Sequence, residues 1–370
     1  MGDEPRTDAL PKSASKTGRL LSLDAYRGFT MLAMVSAGLR MDHLKNDPTW
    51  GWLADQLDHR RWEGCTAWDL IQPSFMFIVG VAMPYSYARR REQGDSWGLQ
   101  FRHALQRCAL LSAIGIFLDC FSERTIYVQF IRVLQQIALA YPLVFLVLQR
   151  GVLTQALTAL TILVVHPLAF MHFHRWSGLA GDPWAVQYNF GRSLDSMLHL
   201  PMSVGGYVTF NAFSSAATIL FGVLCGELLR GRWPPAVKLL VLIAAGLAGL
   251  WIGWELTAWV PMIKRLWTTS FAVFAAGWTC LMMAGFYLVI DMLKLQRWAF
   301  PFTVVGMNSI ASYVFSGIGS SVVQRGLSPF LEPLLSPTST AFPIVMAILV
   351  VVVNFLFCYW LYRRRIFFRV

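Results

Sequence analysis

Charge is scarce in this sequence. Only 14% of its 370 residues are Asp, Glu, Lys or Arg, while 56% are hydrophobic and mean hydropathy is +0.52. That balance excludes a disordered chain, which needs low hydrophobicity and high net charge, and it departs from the composition of a soluble domain. Paired cysteines are missing too: the six present are scattered, mostly within apolar runs, with neither CxxC pairs nor ligand spacing. They read as small buried hydrophobes, which argues against a disulfide framework or a zinc site. Walker A, GxSxG and dinucleotide fingerprints are absent. The first 19 residues hold no apolar core, so no cleavable signal peptide is expected, and the first hydrophobic helix serves as the targeting signal.

What the sequence does have is long apolar runs. They lie at 26–40, 68–88, 104–120, 131–149, 152–171, 212–229, 236–257, 267–291, 303–323 and 342–362. A run of about 20 apolar residues crosses the roughly 30 Å hydrocarbon layer, and lipid offers no partner for an open sheet edge. The expected fold is therefore all-α, a polytopic membrane bundle of about ten transmembrane helices. A polar tail, 1–21, precedes a single membrane domain, 22–370, that carries an external loop at about 172–211.

The net charge of +11 reads mainly as a topology signal. Arg89 to Arg91, the pair around Arg230 and the C-terminal RRRIFF place most of the basic excess on the side of both termini, which the positive-inside rule assigns to the cytoplasm. The basic residues are spread over short loops, so nucleic acid is not an expected partner; membrane lipids are.

Four polar groupings interrupt the apolar pattern. In SLDAYRG, Ser22 is placed to cap the first helix, and Asp24 and Arg27 share a face. Arg27 there is either a snorkelling anchor or a phosphate contact. In DHRRWEGCTAWDLIQPSF, His59 stands ten residues before Asp69, a carboxylate expected to face the bundle interior or a wet cavity. A loop histidine is commonly just solvated; it is also a suitable general base or acyl acceptor. Ten residues of straight helix would separate the two by about 15 Å, so contact between them requires a bend. In FIRVLQQIALAY, Arg132 and Gln135 share a face beside Gln136, as helix glue or as ligand contacts. In PFTVVGMNSIAS, Gly306, Asn308, Ser309 and Ser312 open the ninth run, where packing is the default reading. The HFH at His172 and His174 lacks further ligands at metal spacing, so no metal site is expected.

In order along the chain, RLLSLDAYRG, HRRWEGCTAWDLIQPSFMFIVG, VLQQIAL, LWTTSF, PFTVVGMNSI and LYRRRIFF resemble the catalytic membrane domain of the heparan-alpha-glucosaminide N-acetyltransferase family and its bacterial relatives. SLDAYRG alone also resembles a second family of multi-span acyltransferases; the downstream pieces favour the first. The resemblance implies an enzyme, an acyltransferase that moves acetyl from cytoplasmic acetyl-CoA to an amino-sugar or other glycan acceptor across the membrane. Acetyl-CoA is then a co-substrate, with no permanently bound cofactor. It further implies a multi-pass protein of a bacterial inner membrane and, by analogy with relatives, a homodimer.

By the same resemblance His59 and Asp69 are the catalytic pair. Asp24, Arg27, Gln135, Asn308 and Ser309 are donor-binding candidates, and Trp62, Glu63 and Arg132 are acceptor-binding candidates. The chain departs from the family pattern at Gly38, where an asparagine is usual, at Gln136, where an arginine is usual, and at VTFNAFSS, which replaces an Asp-Pro-Glu-Gly stretch. From the residues alone, a sugar or organic-anion transporter and a non-catalytic membrane scaffold remain the competing readings.

Overall fold

A computed structural model describes residues 20–178 and 181–368. Nearly all of the expected polar tail thus lies outside the described residues. The described chain is all-helical, apart from isolated bridges joining Glu63 and Gly64 to Ile263. Thirteen α-helices follow one another among the described residues: α1 (Leu21–Val35), α2 (Gly51–Gln56), α3 (Ile71–Glu92), α4 (Trp97–Glu123), α5 (Val133–Leu148), α6 (Val152–Ser177), α7 (Phe190–Met197), α8 (Asn211–Arg230), α9 (Pro235–Glu255), α10 (Thr269–Phe286), α11 (Phe300–Met307), α12 (Ser309–Leu331) and α13 (Ala341–Arg363).

Seven described helical segments are long and apolar enough to cross a bilayer, and eight if α11 and α12 count as one broken span. The chain is therefore an integral, multi-pass membrane protein. The expected count of about ten also includes α1 and α5, which are 15 and 16 residues long. The first helix begins earlier than its apolar run and stops at Val35, because Ala37 to Arg40 turn into the left-handed region, with Gly38 at φ 66°. Ser22 does not cap it: the N-cap is Leu20, and Ser22 lies inside the helix. The ninth apolar run is likewise not one rod. α11 and α12 meet at Asn308 with a bend of 72°.

Close approach between helices depends on residues without side chains. A Cβ on Gly80 of α3 would sit 2.0 Å from the Ile219 carbonyl of α8, and one on Gly222 of α8 would sit 2.1 Å from that of Phe77. Small residues at such a crossing let backbones touch, which is how membrane helices gain packing when lipid is as apolar as their own side chains. The α1–α11 crossing uses the same device, with Gly306 against the Asp24 carbonyl and Gly28 against that of Phe302.

The expected external loop folds back on the bundle. Trp184, Val208, Val260, Ile263 and Leu266 bury themselves with Phe170 of α6, and Trp62 and Phe190 pack on the outside of this cluster. Three loops from distant parts of the chain, 58–66, 181–210 and 259–268, are thereby joined at one end of the bundle.

Candidate active site

Asp69 is the anchor of the site. It sits at the third position of a single 3-10 turn, Ala67–Leu70, that leads into α3, and it is 1% exposed. Such a position favours an anion, since backbone N–H groups point at it. Its Oδ2 accepts from the Thr66 amide at 3.1 Å and from the Arg60 amide at 3.3 Å, and lies 3.1 Å from the Thr66 hydroxyl. Its Oδ1 accepts from Lys264 Nζ at 3.2 Å and lies 2.8 Å from His59 Nδ1.

The bend that brings His59 to Asp69 is made by the loop between them. Gly64, at φ 102°, takes a conformation that L side chains rarely adopt, and its amide donates to the Met262 carbonyl at 2.8 Å. The Thr66 hydroxyl also donates to the Asp58 carbonyl at 2.7 Å, closing the loop on itself. The Asp58 side chain pairs with Lys45 and accepts from the His59 amide at 2.8 Å. Partial burial opposes its charge, but these contacts prevail and hold its carboxyl below the usual carboxylate range.

Lys264 is the residue that local sequence patterns did not reveal. It belongs to the loop before α10, where Ile263 and Thr268 hydrogen-bond to one another and Trp267 is wholly buried with Nε1 donating to Thr218 Oγ1 at 3.1 Å. That rigid turn delivers the ammonium group, 7% exposed, to Asp69 and to within 3.1 Å of His59 Nδ1. A lysine and an arginine side by side in an otherwise apolar stretch, VPMIKRLW, were the one available signal. A buried ammonium needs a buried partner, and Asp69 is that partner.

These contacts decide the imidazole's orientation. The carboxylate oxygen at 2.8 Å favours a proton on Nδ1, with Lys264 Nζ, itself only a donor, directed to Asp69 and not to the ring; in that tautomer neutral His59 carries its lone pair on Nε2. With the side chain 43% exposed, Nε2 is the nitrogen available for proton transfer or attack on an acyl carbon. The anion of Asp69 and the cation of Lys264 balance, leaving the cluster neutral while the imidazole is uncharged. Cys65 is nearby but is no rival nucleophile: burial, reinforced by the Asp69 charge, pushes its thiol up to about 12.

Trp62 and Glu63 flank this group. The Trp62 ring lies against Gly206, where an added Cβ would come within 2.8 Å of it, so Trp62 docks the His59 loop onto the 181–210 segment. Glu63 is exposed, and its backbone bridges to Ile263. Arg60 pairs with Asp55 at 3.3 Å.

Arg132 and Gln135 meet around a second buried carboxylate, Asp119, which is 0% exposed. Arg132 Nε contacts Asp119 Oδ1, Gln135 Nε2 donates to its Oδ2 at 2.8 Å, and Gln129 Nε2 donates to Oδ1 at 3.0 Å. Gln135 is fully buried and engaged at both ends, since its Oε1 accepts from the Arg132 amide at 3.0 Å. Asp119 itself went unread in the sequence, although a carboxylate inside FLDCF is a signal of an internal partner. Gln136 accepts from Gln72, one turn beyond Asp69, at 2.7 Å.

The remaining candidates gather at the other end of α1. Asp24 and Arg27 approach to 3.5 Å, and the Asp24 backbone touches Gly306 of α11. Asn308 at the bend is fully buried, donating to the Ile366 carbonyl and accepting from the Phe368 amide, each at 3.1 Å. Ser309 is half-buried at the start of α12. The structure therefore separates the candidates into three groups: one beside Asp24 and one around His59, at opposite ends of the first helix, and Arg132 with Gln135 around Asp119.

The departures from the family pattern have local explanations. A Cβ at Gly38 would stand 2.3 Å from the Leu57 carbonyl, so a side chain would collide with the strand of chain leading to His59. Asn211, within the replaced stretch, donates to the Arg265 carbonyl and so supports the Lys264 loop.

A comparison with curated proteins gives no match. The family described as "Heparan-alpha-glucosaminide N-acetyltransferase, catalytic" matches residues 19–238. That stretch contains His59, Asp69, Asp24, Arg27, Arg132 and Gln135, while Lys264, Asn308 and Ser309 lie beyond it. More than half of the chain is covered, in a protein already seen to be a multi-pass helical bundle with an oriented histidine at one end: the chain belongs to the heparan-alpha-glucosaminide N-acetyltransferase family.

Proposed function

We propose that the protein takes acetyl from acetyl-CoA at the cytoplasmic end of the bundle and delivers it to an amino sugar, or another glycan amine, at the opposite face of a bacterial inner membrane. In this reading α1 and α5 cross as well, giving ten passes with α11 and α12 as one broken span, and both termini lie in the cytoplasm with most of the basic residues. Arg27 and the start of α12 then face the donor's phosphates: a helix N-terminus presents backbone N–H groups, and a guanidinium is suited to phosphate oxygens. Moving only the acetyl group avoids carrying a multiply charged nucleotide through hydrocarbon.

The observation that carries the reading is the His59 Nδ1 contact with buried Asp69 at 2.8 Å. Held this way, Nε2 serves two routes. In the first it attacks the thioester carbonyl, the C–S bond breaks, CoA leaves as the thiolate, and the acceptor amine then displaces the imidazole from acetyl-His59. In the second the amine attacks the thioester directly while Nε2 takes its proton. Asp69 stabilises the positive imidazole in both, and Lys264 keeps Asp69 ionised and in place.

Purified protein given radiolabelled acetyl-CoA and a panel of amino sugars tests the proposal. Wild type is expected to transfer label and His59→Ala to lose transfer. Label trapped on wild type without acceptor, and absent from His59→Ala, marks the first route. Wild type that neither binds CoA nor transfers acetyl to any acceptor refutes the reading.

A further inference from the structure

Arg107 stands ten residues into α4, about 15 Å along a helix that is long and apolar enough to cross a bilayer. An ionisable group at such a depth is costly and calls for a partner. No carboxylate pairs with Arg107 among the described residues; Asp95, just before α4, is taken by Arg90 at 3.3 Å. The guanidinium instead lies over the Tyr141 ring of α5, 4.9 Å from its centroid, with Nη1 in a long 3.4 Å contact to the Tyr141 hydroxyl. Its Nε is buried and has no acceptor.

The tyrosines do not supply what is missing. Tyr141 and Tyr87 of α3 are 1% and 4% exposed and share one hydrogen bond of 3.1 Å, so whichever hydroxyl donates, the other's proton has no acceptor among the described residues. The cluster therefore holds a positive charge and two spare donors, and no anion. Its open side faces lipid. Arg107 is half-buried, at the border between the buried side of α4, with Ala104, Cys108 and Leu111, and Leu110, which lies three residues on and is 47% exposed. Toward the end of the bundle where α3 finishes in Arg89, Arg90 and Arg91, aromatic rings occupy the way. Trp97 stacks on Phe101 at 5.3 Å, Phe101 meets Phe145 at 5.6 Å, and Phe145 packs edge-on against Tyr87 at 5.1 Å.

We propose that Arg107, Tyr87 and Tyr141 hold the phosphate of an anionic phospholipid whose acyl chains lie along the exposed side of α4. A phosphodiester brings the missing negative charge and acceptor oxygens, and the guanidinium fork suits them. A zwitterionic headgroup carries its own cation beside the phosphate and balances Arg107 less well. A soluble anion fits poorly, because it must pass the aromatic rings or cross hydrocarbon. Side chains on a helix lean toward its N-terminus, so the guanidinium reaches back toward His103 and the basic end of α3, in the direction of the headgroups. Basic pockets between membrane helices take anionic headgroups in this way. The site lies near the far end of α3 from Asp69, and its occupation depends on no acyl transfer.

The probe is phosphatidylglycerol carrying a diazirine near the headgroup end of one chain, added to the full-length protein in phosphatidylcholine vesicles, with crosslinked peptides located by mass spectrometry. Label is expected on peptides within 97–123 and 133–148, displaced by unlabelled phosphatidylglycerol but not by phosphatidylcholine, inorganic phosphate or CoA. Arg107→Gln should cut labelling at least about tenfold, the value of a hydrogen bond to a charged group. It should melt no lower than wild type in phosphatidylcholine, since it removes an unpaired charge, and only wild type should gain melting temperature when phosphatidylglycerol is added. Arg102→Gln, which removes an exposed arginine at the same end, should label within about twofold of wild type. Equal losses in the two variants would reduce the effect to diffuse attraction by the basic end and overturn the site. Displacement by phosphate or CoA would make it a site for soluble anions, and displacement by phosphatidylcholine a plain lipid groove; either result overturns the proposal. Should Arg107→Gln fail to fold, wild type decides: headgroup-selective label within the two helices supports the site, and label elsewhere, or indifferent to the headgroup, refutes it.

Discussion

Replacing Asp69 with Asn isolates charge from shape. The amide keeps an oxygen for Thr66, but it removes the anion that Lys264 faces at 3.2 Å in a site where the two side chains are 1% and 7% exposed. Stranding one member of a buried ion pair costs about 3–5 kcal/mol, so Asp69→Asn and Lys264→Met should each lower stability by about that amount. Removing both charges strands neither. The double variant should therefore recover most of the loss, with a coupling energy of about 2–3 kcal/mol, at the upper end for residues in contact. Activity should behave differently. Without a carboxylate, nothing fixes the proton on Nδ1, and the rate should fall about a thousand- to ten-thousand-fold in Asp69→Asn and stay low in the double variant. Denaturation of the four proteins in detergent, beside acetyl transfer at saturating donor, measures both. Strictly additive stability losses, or an Asp69→Asn enzyme within about tenfold of wild type, would refute the reasoning.

Other outcomes follow from single contacts. Arg27→Ala should raise the KM for acetyl-CoA and leave that for the acceptor unchanged, as initial rates over a donor series would show. Gly80→Val, whose Cβ would meet a backbone carbonyl at 2.0 Å, should cost at least about 1–3 kcal/mol or prevent folding, read by monodispersity and melting in detergent. Cys65, its thiol pushed up to about 12, should be ionised at pH 8 only on the order of one part in ten thousand, and should react with maleimide far more slowly than a free cysteine until the protein is denatured. Asp58, whose carboxyl is held below its ordinary value, contributes stability that is present above the unfolded pKa and is lost as pH falls through the folded one. Hydrogen exchange in residues 58–66 should therefore rise on acidification below about pH 4, and Asp58→Asn should remove that dependence.

Helical class was legible because it depends on apolar run length, and His59 and Asp69 could be singled out as candidates because they fall in a short motif. Their contact was not. A straight helix would keep them about 15 Å apart, and the bend requires a left-handed Gly64 tied to Met262, almost two hundred residues away. Lys264 shows the same limit, since a lysine in an apolar stretch announces the need for a partner without naming it. The first helix was misplaced for a related reason: hydropathy continues through Ala37 to Leu39, but the backbone there has already turned, to let Gly38 pass Leu57. Asn308 read as part of a continuous span because apolarity carries no record of a 72° bend.

The position of Lys264 bears on where this protein can be divided. The family match covers residues 19–238, yet the positive half of the candidate site's charge balance is supplied from beyond it, through a loop braced by Asn211 and Trp267. A fragment trimmed to the matched region would retain both His59 and Asp69 while leaving a buried carboxylate with no counterion. The smallest unit that keeps Asp69 paired with its buried cation must therefore extend past the turn before α10, well beyond the matched boundary.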